Sequence, residues 1–214
     1  MKTRLTILLI FLCSLASVNA QDGFIAVNAN LGFGTVNLNG DVLGNNQSGL
    51  AYTGGVGLQF LSSRTVSLVT GLTLEQKGAN FEGTDFFDVG GVEFGTEDLR
   101  NRISYLTIPA MVRLSTSGDV KFYVQGGPYV SWLLQNRVMT DDGELLSDDQ
   151  APYQDMDLGL TGGVGILIPI IGPIKLNLEA RHSQGFYNIN TISPSDNTVT
   201  TQGTYLLFGV SLGG

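Results

Sequence analysis

Cysteine is nearly absent: the single one, Cys13, lies in an N-terminal stretch expected to be removed, so the remaining chain can build no disulfide framework. Histidine occurs once, as His182. No spacing of His, Cys, Asp or Glu matches a metal site, and neither a metal nor any other cofactor is expected. Basic residues number 11 against 19 acidic ones, for a net charge of −8. They form no cluster along the chain, which argues against nucleic acid as a partner. Long apolar runs are also missing after the N-terminus. The most apolar later segment, Val164 to Ile174, is interrupted by Gly165, Pro169, Gly172 and Pro173, so no membrane helix is predicted.

The N-terminus reads as a signal peptide over residues 1–20. Lys2 and Arg4 precede an apolar core from Leu5 to Leu12, and Val18-Asn19-Ala20 supplies small residues for cleavage before Gln21. Leu12 before Cys13 does not suit lipoprotein processing. Residues 21–214 are then one domain.

Two-residue alternation fills that domain, and helical periodicity is hard to find. Strands are predicted at Phe24–Val36, Leu50–Phe60, Thr65–Lys77, Ile103–Leu114, Val120–Gln135, Met156–Ile168, Ile174–Tyr187 and Thr204–Leu212. Tight turns at Leu61–Arg64, Ser115–Asp119 and Pro169–Pro173 alternate with four long polar connections, Asn37–Gly49, Gly78–Arg102, Asn136–Asp155 and Asn188–Gly203. Short turns at one end and long loops at the other are the pattern of a transmembrane barrel in an outer membrane. One parity of the strands is free of charge, for example Leu106, Ile108, Ala110, Val112 and Leu114 in the fourth. The opposite parity carries Glu75, Lys77, Arg113, Asp157, Lys175, Glu179 and Arg181. The expected fold is therefore all-β: a closed antiparallel up-and-down transmembrane β-barrel of eight strands, with lipid outside and charge inside.

Aromatic spacing supports that orientation. Phe122 and Trp132 share a parity ten residues apart, ~33 Å along a strand and ~25 Å after tilt, the separation of two membrane-interface girdles. Tyr52 and Phe60 repeat the arrangement. Thr53-Gly54-Gly55-Val56-Gly57 recurs as Thr161-Gly162-Gly163-Val164-Gly165, which suits the curvature of a narrow barrel. Pro109 and Pro128 predict bulges.

Five segments, Leu72–Gly78 (LTLEQKG), Tyr105–Leu114 (YLTIPAMVRL), Tyr123–Leu134 (YVQGGPYVSWLL), Asp157–Ile166 (DLGLTGGVGI) and Leu178–Ile189 (LEARHSQGFYNI), resemble the PorT-like outer-membrane β-barrel family of Bacteroidetes. The resemblance implies an outer-membrane barrel in that phylum. Its named member is linked to protein secretion, and extending that link to this chain would rest on fold analogy alone. A departure from many such barrels is the C-terminus, Ser211-Leu212-Gly213-Gly214, which lacks a final aromatic.

An eight-stranded interior is just wide enough for side chains to fill, so the seven charged residues predict a salt-bridged plug. Adjacent strand residues point to opposite faces. His182 and Ser183 therefore cannot pair directly as base and nucleophile, and His182 is expected outside, near the outer rim. The long loops are acidic, with Glu82, Asp85 and Asp88 in one and Asp141, Asp142 and Glu144 in another. They read as a solvated, self-repelling surface, with divalent-cation bridging to lipopolysaccharide phosphates as the sharper alternative. These features predict a non-catalytic outer-membrane protein, structural or binding a partner or ligand through its loops. Its surroundings are outer-membrane lipid and lipopolysaccharide, and an envelope protein is a candidate partner. The alternatives are an accessory component of secretion machinery, a lipid-modifying enzyme and a soluble lipocalin-like barrel. No sequence feature sets an oligomeric state.

Overall fold

The computed structural model describes residues 26–40, 46–60, 65–87, 93–140, 145–147, 153–190 and 198–213. The predicted signal peptide lies outside them. Eight long strands form the wall: β1 Ala26–Asn39, β2 Gly49–Phe60, β3 Val66–Phe87, β4 Glu93–Ser115, β5 Lys121–Thr140, β6 Met156–Ile171, β7 Ile174–Gly185 and β8 Thr200–Leu212. Each pairs antiparallel with its sequence neighbour. The circle closes as β8 pairs with β1, from Val27 opposite Leu212 to Asn39 opposite Thr200. Short segments at Asn46–Gln47 and Leu145–Ser147 extend the rim against β3 and β5. This is the closed eight-stranded up-and-down barrel that the alternation predicts.

Alternation places the two side-chain sets on opposite faces. Leu31, Tyr52, Val56, Leu74, Phe122, Leu160 and Val164 are exposed on the outside, whereas Glu75, Lys77, Arg113, Asp157 and Glu179 are buried within. Tyr52, Phe122 and Trp132 face outward and exposed, and Phe60 faces the same way, partly covered.

Three local expectations are corrected. The segment Gly78–Arg102 is mostly wall, because β3 continues to Phe87 and β4 begins at Glu93. Ten residues beyond Lys77 extend the hairpin by ~33 Å along the strand. Above the membrane the outer face meets water, so strands there need no apolar outer face and the alternation that betrays them fades.

The prolines produce no bulge. Pro109 pairs with Tyr129 and Val112 with Gly126 in one unbroken register, with the intervening pairs missing. Thr70 Oγ1 donates to the Pro109 carbonyl at 2.7 Å. The wall's register shift in this hairpin falls instead between Ser104 and Tyr105, where β5 carries one extra residue.

The glycines of the second Gly-rich run make room inside. A Cβ on Gly163 would lie 2.6 Å from Glu179 Oε1, and one on Gly165 would collide with the Tyr123 ring. At the opposite end from the long connections, Gly172, at φ 53, and Pro173 form the two-residue link between β6 and β7, tighter than the predicted Pro169–Pro173 turn. The predicted turn Leu61–Arg64 lies outside the described residues.

Candidate functional site

The barrel interior gathers polar residues from β1 to β8 into two connected layers. In the lower layer Arg181 grips Glu179 with two parallel bonds, Nε to Oε1 at 2.8 Å and a terminal nitrogen to Oε2 at 3.0 Å. This bidentate geometry is the strongest form of the pair. Gln125 donates to the same carboxylate at 2.7 Å and Tyr123 at 2.9 Å, and Tyr123 also reaches Asn177. Arg113 lies 4.0 Å over the Tyr123 ring and donates to Gln125 and Gln59, not to a carboxylate.

The upper layer centres on Lys77, 2% exposed. Its ammonium donates to Asp157 at 2.7 Å and to Tyr129 at 3.2 Å, with Glu75 at 4.0 Å. Tyr129 and Thr201 both donate to Asp157. Thr107 donates to Glu75 and shares a bond with Ser131. Burying these ions costs several kcal/mol each, so only such dense pairing makes the interior tolerable.

Six of the seven predicted plug residues thus meet in these layers. Lys175 does not: it lies at the turn end, 3.4 Å from the Gly213 carbonyl, because strand parity points it inward but β7 has only just begun there. Tyr105, Tyr123, Tyr129 and Tyr205 were not singled out in the sequence. Their odd-numbered places beside the charges were the signal, since a tyrosine at an inward position carries its hydroxyl into the polar core.

Above the ionic layers the interior becomes apolar. Leu38, Ala79, Ile103, Leu133, Ile189 and Val199 pack with Tyr105, and with Phe81 and Tyr153 at the edge. Ile189 and Val199 come from the predicted polar loop Asn188–Gly203. They are tied by a backbone bond of 2.9 Å, and Asn188 Oδ1 accepts from Val199 N–H. Gln154 N–H donates to the Ile189 carbonyl, and Tyr153 bridges to Asn190. Residues 153–154, 188–190 and 199 thereby meet over the mouth. Burial pushes the Tyr153 hydroxyl up, opposed by a hydrogen bond from Asn101.

A cavity of about 30 Å³ remains in the lower barrel, lined by Asn28, Thr53, Arg113 and Arg181 among others. That volume suits a water molecule or two. Buried Asn28 and Thr53 have side-chain polar atoms without a protein partner, which such water would satisfy.

His182 and Ser183 face opposite ways. Ser183 bonds Thr161 inside, and His182 Nδ1 lies 2.8 Å from Thr204 Oγ1 outside. His182 is not near the rim as expected. It pairs with Gly162, whose strand carries both Met156 opposite Trp132 and Ile166 opposite Phe122, so it lies between the aromatic levels. Of the acidic loop residues, Glu82 is exposed on β3. The side chains of Asp85, Asp88, Asp141, Asp142 and Glu144 lie outside the described residues. Among the described residues, no group of three or more His, Cys, Asp or Glu side chains could hold a metal ion.

A closed antiparallel barrel with an apolar outer face between aromatic levels and paired ions inside defines a small outer-membrane β-barrel. The chain belongs to the outer membrane protein beta-barrel domain family, whose model matches residues 19–190. Comparison with curated protein sequences returned no match. Among solved structures, a major outer membrane protein from Thermus thermophilus is similar, at TM-score 0.51 and 11% identity, covering 91% of this chain and 100% of that one. OprG from Pseudomonas aeruginosa gives 0.48 and 11%, over 90% and 95%. Neisserial surface protein A gives 0.46 and 14%, over 89% and 96%.

Proposed function

We propose that this protein is a sealed, non-catalytic outer-membrane barrel that works through its external face, binding an envelope protein or ligand there. The observation that carries this reading is the double filling of the interior. Two ion-paired layers and an apolar cap leave no continuous passage among the described residues, so transport through the barrel is disfavoured. Catalysis is disfavoured because His182 and Ser183 lie on opposite faces. What remains accessible is the long β3–β4 hairpin and the neighbouring connections, and loops on a rigid scaffold are where partners dock.

The experiment is to shorten the hairpin from outside Lys77 and Ile103, retain the barrel, and compare proteins co-purified from cross-linked outer membranes. Loss of specific partners with the shortened form supports the reading. Conductance of the intact protein in planar bilayers would sink it.

A second reading is an accessory role in protein secretion, favoured by the five segments that resemble the PorT-like family. Secretion components among the cross-linked partners would support it.

A further inference from the structure

Most of the outer wall between the aromatic levels is apolar, but one sector is not. On β7 and β8 the outward residues His182, Gln184 and Thr204 are polar. Exposed Leu160 of β6, in register with Gln184, marks where the apolar wall resumes on one side, and exposed Leu206 lies just below Thr204. Above Thr204, Gln202 reaches the aromatic level and accepts from Asn39. Depth excludes contact with water as the reason for the polar sector. Gln184 is in register with Leu160 and, through it, with Pro128, four residues short of Trp132. Four residues are ~10 Å of height at a tilt of about 40°, against at most ~6 Å that the tilt adds over two interstrand spacings. His182 lies two residues further down, inside the hydrocarbon.

Two side chains of this sector are each half-satisfied. Thr204 Oγ1 lies 2.8 Å from His182 Nδ1. The hydroxyl has no other acceptor among the described residues, so it donates to Nδ1, and the ring proton is then on Nε2. Gln184 Nε2 donates to the carbonyls of Gly185 at 3.0 Å and Thr201 at 3.4 Å. Those carbonyls fix the orientation of the amide and leave its oxygen as an acceptor. A donor and an acceptor thus stand two residues apart on one lipid-facing strand, without partners among the described residues. Hydrocarbon supplies neither, and polar groups unpaired at membrane depth are costly enough to mark a contact. The surroundings allow close approach. Gly162, beside His182 in register, has no side chain, and Ala180 below it has a single methyl. Small residues let membrane segments come near enough to hydrogen-bond.

We propose that this sector is the interface between two copies of the barrel, related by a twofold axis along the membrane normal. In each copy His182 Nε2–H donates to the side-chain oxygen of the partner's Gln184. Two features select a second copy over an unrelated chain. The unmet donor and the unmet acceptor complement each other, so one patch facing itself satisfies both, as an isologous contact requires. They also stand at nearly one depth, which copies inserted in the same orientation share. The glutamine side chain spans the two-residue offset between them, ~5 Å of height. This inference is independent of the partner reading above, since it concerns the lipid-facing wall and needs only the membrane-inserted barrel.

The test is energy transfer between donor- and acceptor-labelled S117C barrels, refolded together into phosphatidylcholine vesicles over a range of protein-to-lipid ratios. Outside the predicted signal peptide the chain has no cysteine, and Ser117 is exposed on the turn between β4 and β5. Each variant must first show the heat-dependent gel shift of a folded barrel. Transfer should reach a plateau with density and fall when unlabelled barrel competes. H182L/Q184L, which completes the apolar wall, should weaken association by about tenfold, the scale of two hydrogen bonds between membrane segments. G162F keeps both polar groups but holds the walls apart, and should weaken association comparably. A Cβ at that position meets nothing nearer than the Gln125 carbonyl at 3.4 Å, so the barrel itself is spared. V112F, on the exposed wall of β4, should change nothing. Transfer no greater than random proximity at every density overturns the proposal. Undiminished association of H182L/Q184L overturns the hydrogen-bonded pair, and of G162F the choice of face. Equal loss in V112F would reveal contact without a specific face and overturn it as well.

Discussion

Low in the barrel the interior is filled by Asp157, Glu75, Arg113, Glu179 and Arg181 with their tyrosines, and Lys77 stands at the upper edge of this filling, opposite Ile103. Immediately above, the same cylinder is filled by Leu38, Ile103, Leu133, Ile189 and Val199. The difference follows from what lies outside each level. Where lipid covers the outer wall, the apolar parity is already used outward, and the inward parity is left for polar groups. Where water covers it, the ordinary soluble arrangement returns, with apolar residues inward. One continuous wall is thus inside-out below and right-side-out above. Keeping the inner face polar also leaves the chain with a mean hydropathy of only +0.17, with no segment that reads as a membrane helix.

Breaking the lower filling should cost most. Lys77→Ala strands Asp157, 0% exposed, and is expected to lower unfolding free energy by about 3–5 kcal/mol, measured by denaturant titration in detergent. Lys77→Met with Asp157→Leu should recover most of that loss, because an apolar pair of similar volume is often neutral. Failure to recover would mean the ions are needed for register and not merely tolerated.

Ile103→Ala in the upper filling should cost about 2–4 kcal/mol, towards the low end if the loop residues collapse into the gap. Amide exchange at Ile189 and Val199 should accelerate, while that at Lys77 stays slow; joint acceleration would show that cap and ionic layer open together. Gly163→Ala in the lower filling pushes on Glu179 and should cost about 1–3 kcal/mol as overpacking.

The smallest effect concerns Tyr153. Its raised pKa means the folded cap holds a proton that the unfolded chain releases first. Its contribution is complete below the ordinary tyrosine value of about 10 and is lost as pH rises through the higher folded value. Tyr153→Phe should flatten cap stability above the ordinary tyrosine value of about 10, followed by exchange at Ile189.

The membrane-level barrel was legible because lipid enforces the alternation. Strand parity assigned Glu75, Lys77, Arg113, Asp157, Glu179 and Arg181 to one face, and the same face holds them in the structure. It could not say which charges pair: Arg113 faces glutamines and a tyrosine ring. The cap was not legible, since Ile189 and Val199 stand singly in polar sequence and acquire meaning only when two connections fold together. The juxtaposition of two arginines was hidden for a similar reason. A chain with no basic cluster along its length places Arg137 opposite Arg102 through cross-strand register.

That juxtaposition depends on the extra residue in β5. Below it, odd-numbered side chains such as Leu133 turn inward; above it, Asn136 and Thr140 do. The bulge works as a frameshift in the fold's reading of its own sequence. It puts Arg137 outside the wall, where an uninterrupted strand would have driven it into the apolar cap. Undoing that frameshift would require straightening β5 with every residue kept; deleting Leu134 instead removes the extra residue itself and leaves Arg137 outside, opposite Arg102.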